Sequence, residues 1–152
     1  MELKELQKKK IGEILDERQQ WNLPILEKDA SIWDVLSILT ARDHVWIVEE
    51  RGSKKLFGVI TESDVLRLLA PYRLPKYVFG KRYGMSLEGG TAKTAGDITH
   101  RQLIKSSLDE EVGEALARMV NARLRRLPVV KNGEIVGEIT IHYILQKLLG
   151  KR

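Results

Sequence analysis

The apolar positions along this chain fall into two sets that repeat the same order of periods. In the first set Ile32, Val35, Leu36 and Leu39 recur at helical spacing, and His44 to Glu49 and Leu56 to Ile60 follow as strand-like runs. In the second set Val112, Ala115, Leu116 and Met119 repeat the helical spacing, and Leu127 to Lys131 and Glu134 to Ile139 repeat the strands. Each strand pair leads directly into a closing helix, Glu62 to Leu69 and Ile141 to Leu149. Asp29 or Ser31 can cap the first amphipathic helix and Asp109 the second. Asn132-Gly133 joins the second strand pair, and these residue types accept the positive φ angles of a tight hairpin turn.

These parallels define an internal duplication. A lead segment opens each copy, Ile11-Gly12-Glu13-Ile14-Leu15 and Ala95-Gly96-Asp97-Ile98-Thr99, with a small pivot, an acid and an Ile in register. A short extended piece follows, Pro24 to Glu27 and Gln102 to Lys105, and each copy closes its sheet with Gly-x-Ile-Thr, Gly58 to Thr61 and Gly137 to Thr140. The copies span residues 8–70 and 94–150, and residues 71–93 join them. Neither copy can cover its own sheet face, so the expected architecture is α/β (α+β), with two β-α-β-β-α units packed about a pseudo-twofold axis. The joint, with Pro71, Pro75 and the aromatics Tyr72, Tyr77, Phe79 and Tyr83, reads either as a tether pinned by its aromatics or as a lid or oligomer contact.

The chain has 152 residues, enough for two small halves that share a core. It contains no cysteine, which excludes disulfides, a thiol nucleophile and thiolate zinc sites. Met1 to Lys10 lacks the apolar stretch of a signal peptide, and no run reaches the roughly 20 apolar residues of a membrane span. A cytoplasmic protein without membrane association is expected. The net charge of +5 invites a nucleic-acid reading, with Arg123, Arg125 and Arg126 as its natural centre. Most of the basic residues are interleaved with acids, however, which describes a solvated surface equally well.

An enzyme has little support in the sequence. His44, His100 and His142 show no paired-ligand spacing, so no metal is expected, and neither a nucleophile elbow nor a phosphate-binding Gly-rich loop is present. The sharper signal is Gly58-Val59-Ile60-Thr61-Glu62-Ser63-Asp64, where a strand becomes a helix. Free backbone N–H groups and the positive end of the helix dipole there suit a phosphate. Thr61 adds a hydroxyl, and Asp64, one turn on, offers a carboxylate that can accept both hydroxyls of a ribose. The same residues also fit a capping box, in which Thr61 caps the helix and Asp64 reaches back to the Thr61 backbone.

The duplicated unit, with Ile11-Gly12-Glu13-Ile14-Leu15 at its start, Arg126-Leu127-Pro128-Val129-Val130 as a strand and Gly58 to Asp64 at its exit, resembles a tandem pair of cystathionine-β-synthase (CBS) domains, or Bateman module. The resemblance covers roughly residues 8 to 150 and implies a regulatory module with no reaction of its own. Such modules bind AMP, ADP, ATP or S-adenosylmethionine in clefts between the paired domains and require no cofactor.

By the same resemblance, Thr61 holds phosphate and Asp64 holds ribose. Adenine lies against Asp43, His44 and Val45, with Trp46 standing where the second copy has Pro128. Arg125 and Arg126 occupy the place from which basic residues reach the phosphates, and they read equally well as a solvated pair. The second copy departs from the pattern: Tyr143 stands where the acid belongs, and a phenol cannot accept two hydroxyls as a carboxylate does. Thr140 and His142 remain candidates to face a phosphate, or are ordinary helix surface. The resemblance also implies a homodimer through the helix at Ile32 to Leu39 and the closing helices, and an effector protein that reads the ligand. The rival readings are a nucleic-acid binder and a structural adaptor with no small ligand.

Overall fold

The computed structural model describes residues 1–71, 77–78, 81–82, 87, 90, 92–101 and 103–150. The elements of the first half are α1 (Leu3–Lys8), α2 (Ile11–Ile14), α3 (Glu17–Asn22), β1 (Ile25–Glu27), α4 (Ile32–Ile38), β2 (His44–Val48), β3 (Leu56–Thr61) and α5 (Glu62–Leu69). Two short strands, β4 (Tyr77–Val78) and β5 (Lys81–Arg82), and a 3-10 turn at Ala95–Ile98 precede α6 (Val112–Ala122), β6 (Arg126–Lys131), β7 (Glu134–Thr140) and α7 (Ile141–Leu149).

The duplication extends to the register of the strands. Strand β2 pairs antiparallel with β3, matching His44 with Thr61, and β6 pairs antiparallel with β7, matching Arg126 with Thr140. Each ladder shifts register at the corresponding place, between Ile47 and Val48 and between Val129 and Val130. The first copy adds β1 parallel to β2, which buries all of β2 between two neighbours. In the second copy that strand shrinks to a parallel bridge between Ser106 and Val129, just past the extended piece expected at 102–105, of which Gln102 lies outside the described residues.

The compact units differ from the sequence copies in a specific way. One unit is Pro24–Leu103 and the other is Met1–Leu23 with Ile104–Arg152, so each lead segment folds with the opposite copy. The exchange is reciprocal at the level of single hydrogen bonds. Gly96 N donates to the Lys28 carbonyl at 2.7 Å and Gly12 N to the Leu108 carbonyl at 2.9 Å. Ile32 N donates to Lys93 O at 3.0 Å, and Val112 N to Lys9 O at 2.9 Å. A Cβ on Gly96 would stand 3.1 Å from Lys28 O, and one on Gly12 3.3 Å from Leu108 O, so the small pivots of the lead segments permit these approaches.

In the Pro24–Leu103 unit, Ile32, Val35, Val45, Ile47, Ile60 and Leu68 form the core, and Leu87 and Ala92 of the joint pack against it. In the other unit the core gathers Leu6, Ile11, Ile14, Val112, Leu127, Val129, Ile139 and Ile144. Ser31 caps α4 by accepting from Trp33 N at 3.2 Å, which settles the choice between Asp29 and Ser31. The expected cap at Asp109 is corrected: α6 begins after Glu111, which makes no side-chain cap, and Asp109 stands two residues ahead of the cap position. Asn132 and Gly133 adopt φ of 53° and 79°, the conformation expected of a tight hairpin. Within the joint, Tyr77 pairs with Arg82 and Val78 with Lys81, while Tyr72, Pro75, Phe79 and Tyr83 lie outside the described residues.

Candidate functional site

The strand-to-helix junction at Thr61 is built by sheet register. Because His44 lies opposite Thr61, the start of β2 and the end of β3 bring Asp43, His44, Val45, Thr61 and Asp64 to one edge of the Pro24–Leu103 unit. Val45 is fully buried in the core, so its side chain is closed to a ligand. His44 is buried, donates from Nδ1 to Asp43 Oδ1 at 2.5 Å, and meets Trp46 edge-on at 5.4 Å between ring centroids.

Asp64 is, with Glu138, one of two buried carboxylates among the described residues, only 7% exposed at the first turn of α5. Burial of an ionised carboxylate is costly unless each oxygen is hydrogen-bonded. Both oxygens are. Oδ2 accepts from Thr61 N at 2.8 Å and from Thr61 Oγ1 at 3.3 Å, which is the capping arrangement expected from the Thr61 to Asp64 spacing. Oδ1 accepts from His100 Nε2 at 2.5 Å and from Arg67 at 3.1 Å. The cap uses Oδ2 alone, so the capping and ligand readings are compatible.

His100 and Arg67 are partners that sequence reasoning missed. Arg67 carried a signal, since residues three apart share a helix face. His100 carried none, because it arrives from the lead segment of the second copy through an exchange of partners that no periodicity reveals. Its backbone is pinned to β3 by hydrogen bonds in both directions with Val59, each 3.0 Å. That crossing explains Gly58: a side chain there would overlap the His100 carbonyl oxygen and the Thr99 methyl.

The other candidates, Arg125, Arg126, Thr140 and His142, lie at the corresponding edge of the other unit, where Arg126 faces Thr140 across the ladder. Thr140 caps α7 by accepting from Tyr143 N at 3.1 Å, and the side chains of Arg125 and His142 are exposed. Tyr143, at the position of the missing acid, is buried and donates its hydroxyl to the Ile14 carbonyl. Burial, reinforced by the nearby Asp16 carboxylate, pushes its pKa up to about 12. The phenol is therefore a neutral donor turned inward. Among the described residues no three His, Asp or Glu side chains are grouped to hold a metal ion, and no helix is long and apolar enough to cross a membrane.

With the duplicated fold and its unequal junctions established, comparison with known proteins assigns the class. The CBS domain profile matches residues 11–71 and 95–150, and the chain belongs to the CBS domain family. An uncharacterized protein of Methanopyrus kandleri, MK0525, is 33% identical over 104 residues, 67% of this chain. The match spans 44% of that relative's length. Similar folds include CBSX2 in complex with AMP, with a TM-score of 0.72, 21% identity and coverage of 93% of this chain and 96% of that one. The CBS domain pair of MJ0100, in complex with 5'-methylthioadenosine and S-adenosyl-L-methionine, gives 0.65 at 24% identity, covering 95% and 98%. The CBS domain of a bacterial CNNM/CorC family Mg2+ transporter in complex with ATP gives 0.69 at 17% identity, covering 99% and 94%.

Proposed function

We propose that this chain is a regulatory sensor of an adenosine-containing ligand, AMP, ADP, ATP or S-adenosylmethionine, with no reaction of its own. The observation that carries the reading is Asp64, a buried carboxylate beside the Thr61 hydroxyl at the start of a helix. A carboxylate in that position can accept both hydroxyls of a ribose, and the α5 N-terminus and Thr61 favour the attached phosphate. Similar CBS pairs bound to AMP, ATP and S-adenosyl-L-methionine support it, since ribose and adenine are common to those ligands.

In this reading the backbone of Asp43, His44 and Val45 meets the adenine edge. Arg125, Arg126, Thr140 and His142, at the corresponding edge of the other unit, are further candidate nucleotide-binding groups. A ligand moves a conformational equilibrium only by its differential affinity for two states, so the output requires an effector or a second copy that reads the change. The apolar residues exposed on α5, Leu66 and Leu69, and on α7, Ile141, Leu145 and Leu149, support association into a homodimer.

Calorimetry with AMP, ATP and S-adenosylmethionine tests the assignment. At least one is expected to bind the wild type, with loss of binding in Asp64→Ala. No binding of any of the three by the wild type or by variants at the junction refutes it.

A further inference from the structure

We propose that His100 is a built-in competitor at the ligand site, holding the oxygen of Asp64 that a ribose would use until the ligand displaces it. The inference rests on the ribose reading of Asp64 and adds the regulation of that site.

A carboxylate presents about four lone-pair directions, two on each oxygen. Thr61 N and Thr61 Oγ1 take those of Oδ2, and His100 Nε2 and Arg67 take those of Oδ1. Asp64 is saturated. A ribose brings two hydroxyl donors, and they can be accepted only if existing donors leave.

The geometry selects which donors leave. The bond from Thr61 N secures the first turn of α5 and belongs to a backbone fixed in the sheet. His100 and Arg67, by contrast, act through side chains that are each 56% exposed and can turn into water. Arg67 forms an i,i+3 pair within one helix, an arrangement that contributes little when solvated. His100 reaches Asp64 across 36 residues of sequence, from a segment fixed independently of α5, so it is the partner that ties the helix to another part of the unit.

Release of His100 needs only side-chain rotation, because its main chain stays bonded to Val59 in both directions. The consequence is nevertheless larger than one side chain. His100 lies just before the chain leaves this compact unit at Leu103 for the other. A ligand that frees the imidazole therefore removes the side-chain tie between α5 and the segment carrying His100 while the backbone tie to β3 remains.

The test titrates AMP, and then ATP and S-adenosylmethionine, into the full chain as wild type, His100→Ala and Asp64→Ala, while the imidazole resonances of His100 are followed by NMR. His100→Ala should bind the ligand about tenfold more tightly, the gain from removing one charge-assisted hydrogen bond that must otherwise be broken. In the wild type, saturating ligand should move the His100 resonances toward their positions in ligand-free Asp64→Ala. Binding by His100→Ala where the wild type shows none supports the proposal equally. If the wild type binds in an Asp64-dependent way while His100→Ala binds no more tightly and the His100 resonances stay put, the competitor role falls and the ribose site stands. If none of the three ligands binds either the wild type or His100→Ala, the ribose reading falls and takes the competitor with it.

Discussion

Replacing Gly58 with alanine should be strongly disruptive for a change of one methyl group. The added Cβ would overlap the His100 carbonyl oxygen and the Thr99 methyl and stand 3.0 Å from the His100 carbonyl carbon. Two of these neighbours are backbone atoms, so no rotamer change relieves the clash. The crossing segment must retreat by about 1 Å to restore ordinary contact, which breaks the pair of hydrogen bonds between Val59 and His100. Each lost bond costs about 1 kcal/mol, and displacement of a packed segment adds about 1–2 kcal/mol, for a total of about 3–4 kcal/mol. Gly96→Ala and Gly12→Ala provide an internal scale, because their Cβ atoms would meet Lys28 O at 3.1 Å and Leu108 O at 3.3 Å. Contacts of that kind yield with shifts of a few tenths of an ångström, and about 1 kcal/mol or less is expected. Urea denaturation followed by circular dichroism measures all three. A Gly58→Ala protein within about 0.5 kcal/mol of wild type, or no less stable than Gly96→Ala, would show that the Thr99-His100 crossing is not held as described.

Asp97 accepts from Thr94 N at 2.9 Å and Lys93 N at 2.8 Å, and these backbone donors hold its carboxyl below the usual value of 3.8. Because the folded-state value is lowered, its contribution is present above the unfolded pKa and is lost as pH falls through the folded one. Asp97→Ala should therefore cost about 1 kcal/mol at neutral pH, with the gap closing in acid below about pH 4, as read from denaturation curves at several pH values. Tyr143 has the opposite sign: its raised pKa contributes stability that is complete below the ordinary 10.0 and disappears as pH rises toward about 12. Tyr143→Phe, which loses the bond to Ile14 O, should be about 1 kcal/mol less stable at neutral pH but lose less across that alkaline window, and parallel curves would refute the assignment. Tyr143→Asp should lower stability by about 3 kcal/mol and create no second binding site, since the new carboxylate would face the Ile14 carbonyl and Asp16; calorimetry returning two AMP molecules per chain would overturn this.

The parts of the fold that the sequence made legible are those governed by local period and local turn chemistry. The helical spacing of Ile32 and Val35, the strand-like run of His44 to Val48, and the Asn132-Gly133 turn each carry their physical cause within a few residues. What escaped was set by distant partners. Helix α1 falls almost wholly before the first expected copy, yet its Leu6 is fully buried in the core with α6 and α7 residues. The matched lead segments were visible, but their exchange depends on which backbone each glycine approaches, Lys28 for Gly96 and Leu108 for Gly12. The site divides in the same way. Thr61 and Asp64 could be read together because they are one helical turn apart, whereas His100 joins them only through the crossing over Gly58.

That crossing also gives the inequality of the two copies a chemical logic. The lead segments align Ile14 with Ile98, which places Asp16 opposite His100, just as the exit segments place Tyr143 opposite Asp64. Two facing positions have therefore changed together. In one unit the helix carries the acid and the lead segment the nitrogen donor; in the other the helix carries a phenol donor and the lead segment supplies the Ile14 carbonyl and the Asp16 carboxylate. Each pair satisfies its own hydrogen bonds, and swapping one member alone would bring two acceptors or two donors face to face. The difference between the halves is thus how readily each pair opens. The Asp64 pair is closed by a side chain that is 56% exposed, while the Tyr143 pair is closed by a ring only 9% exposed and bonded to backbone. Opening the first releases an exposed imidazole into water, and opening the second leaves a buried carbonyl without its donor. On the proposed ribose reading, a ligand would meet a yielding partner in one half and a fixed one in the other, so the first copy alone is the expected site of binding.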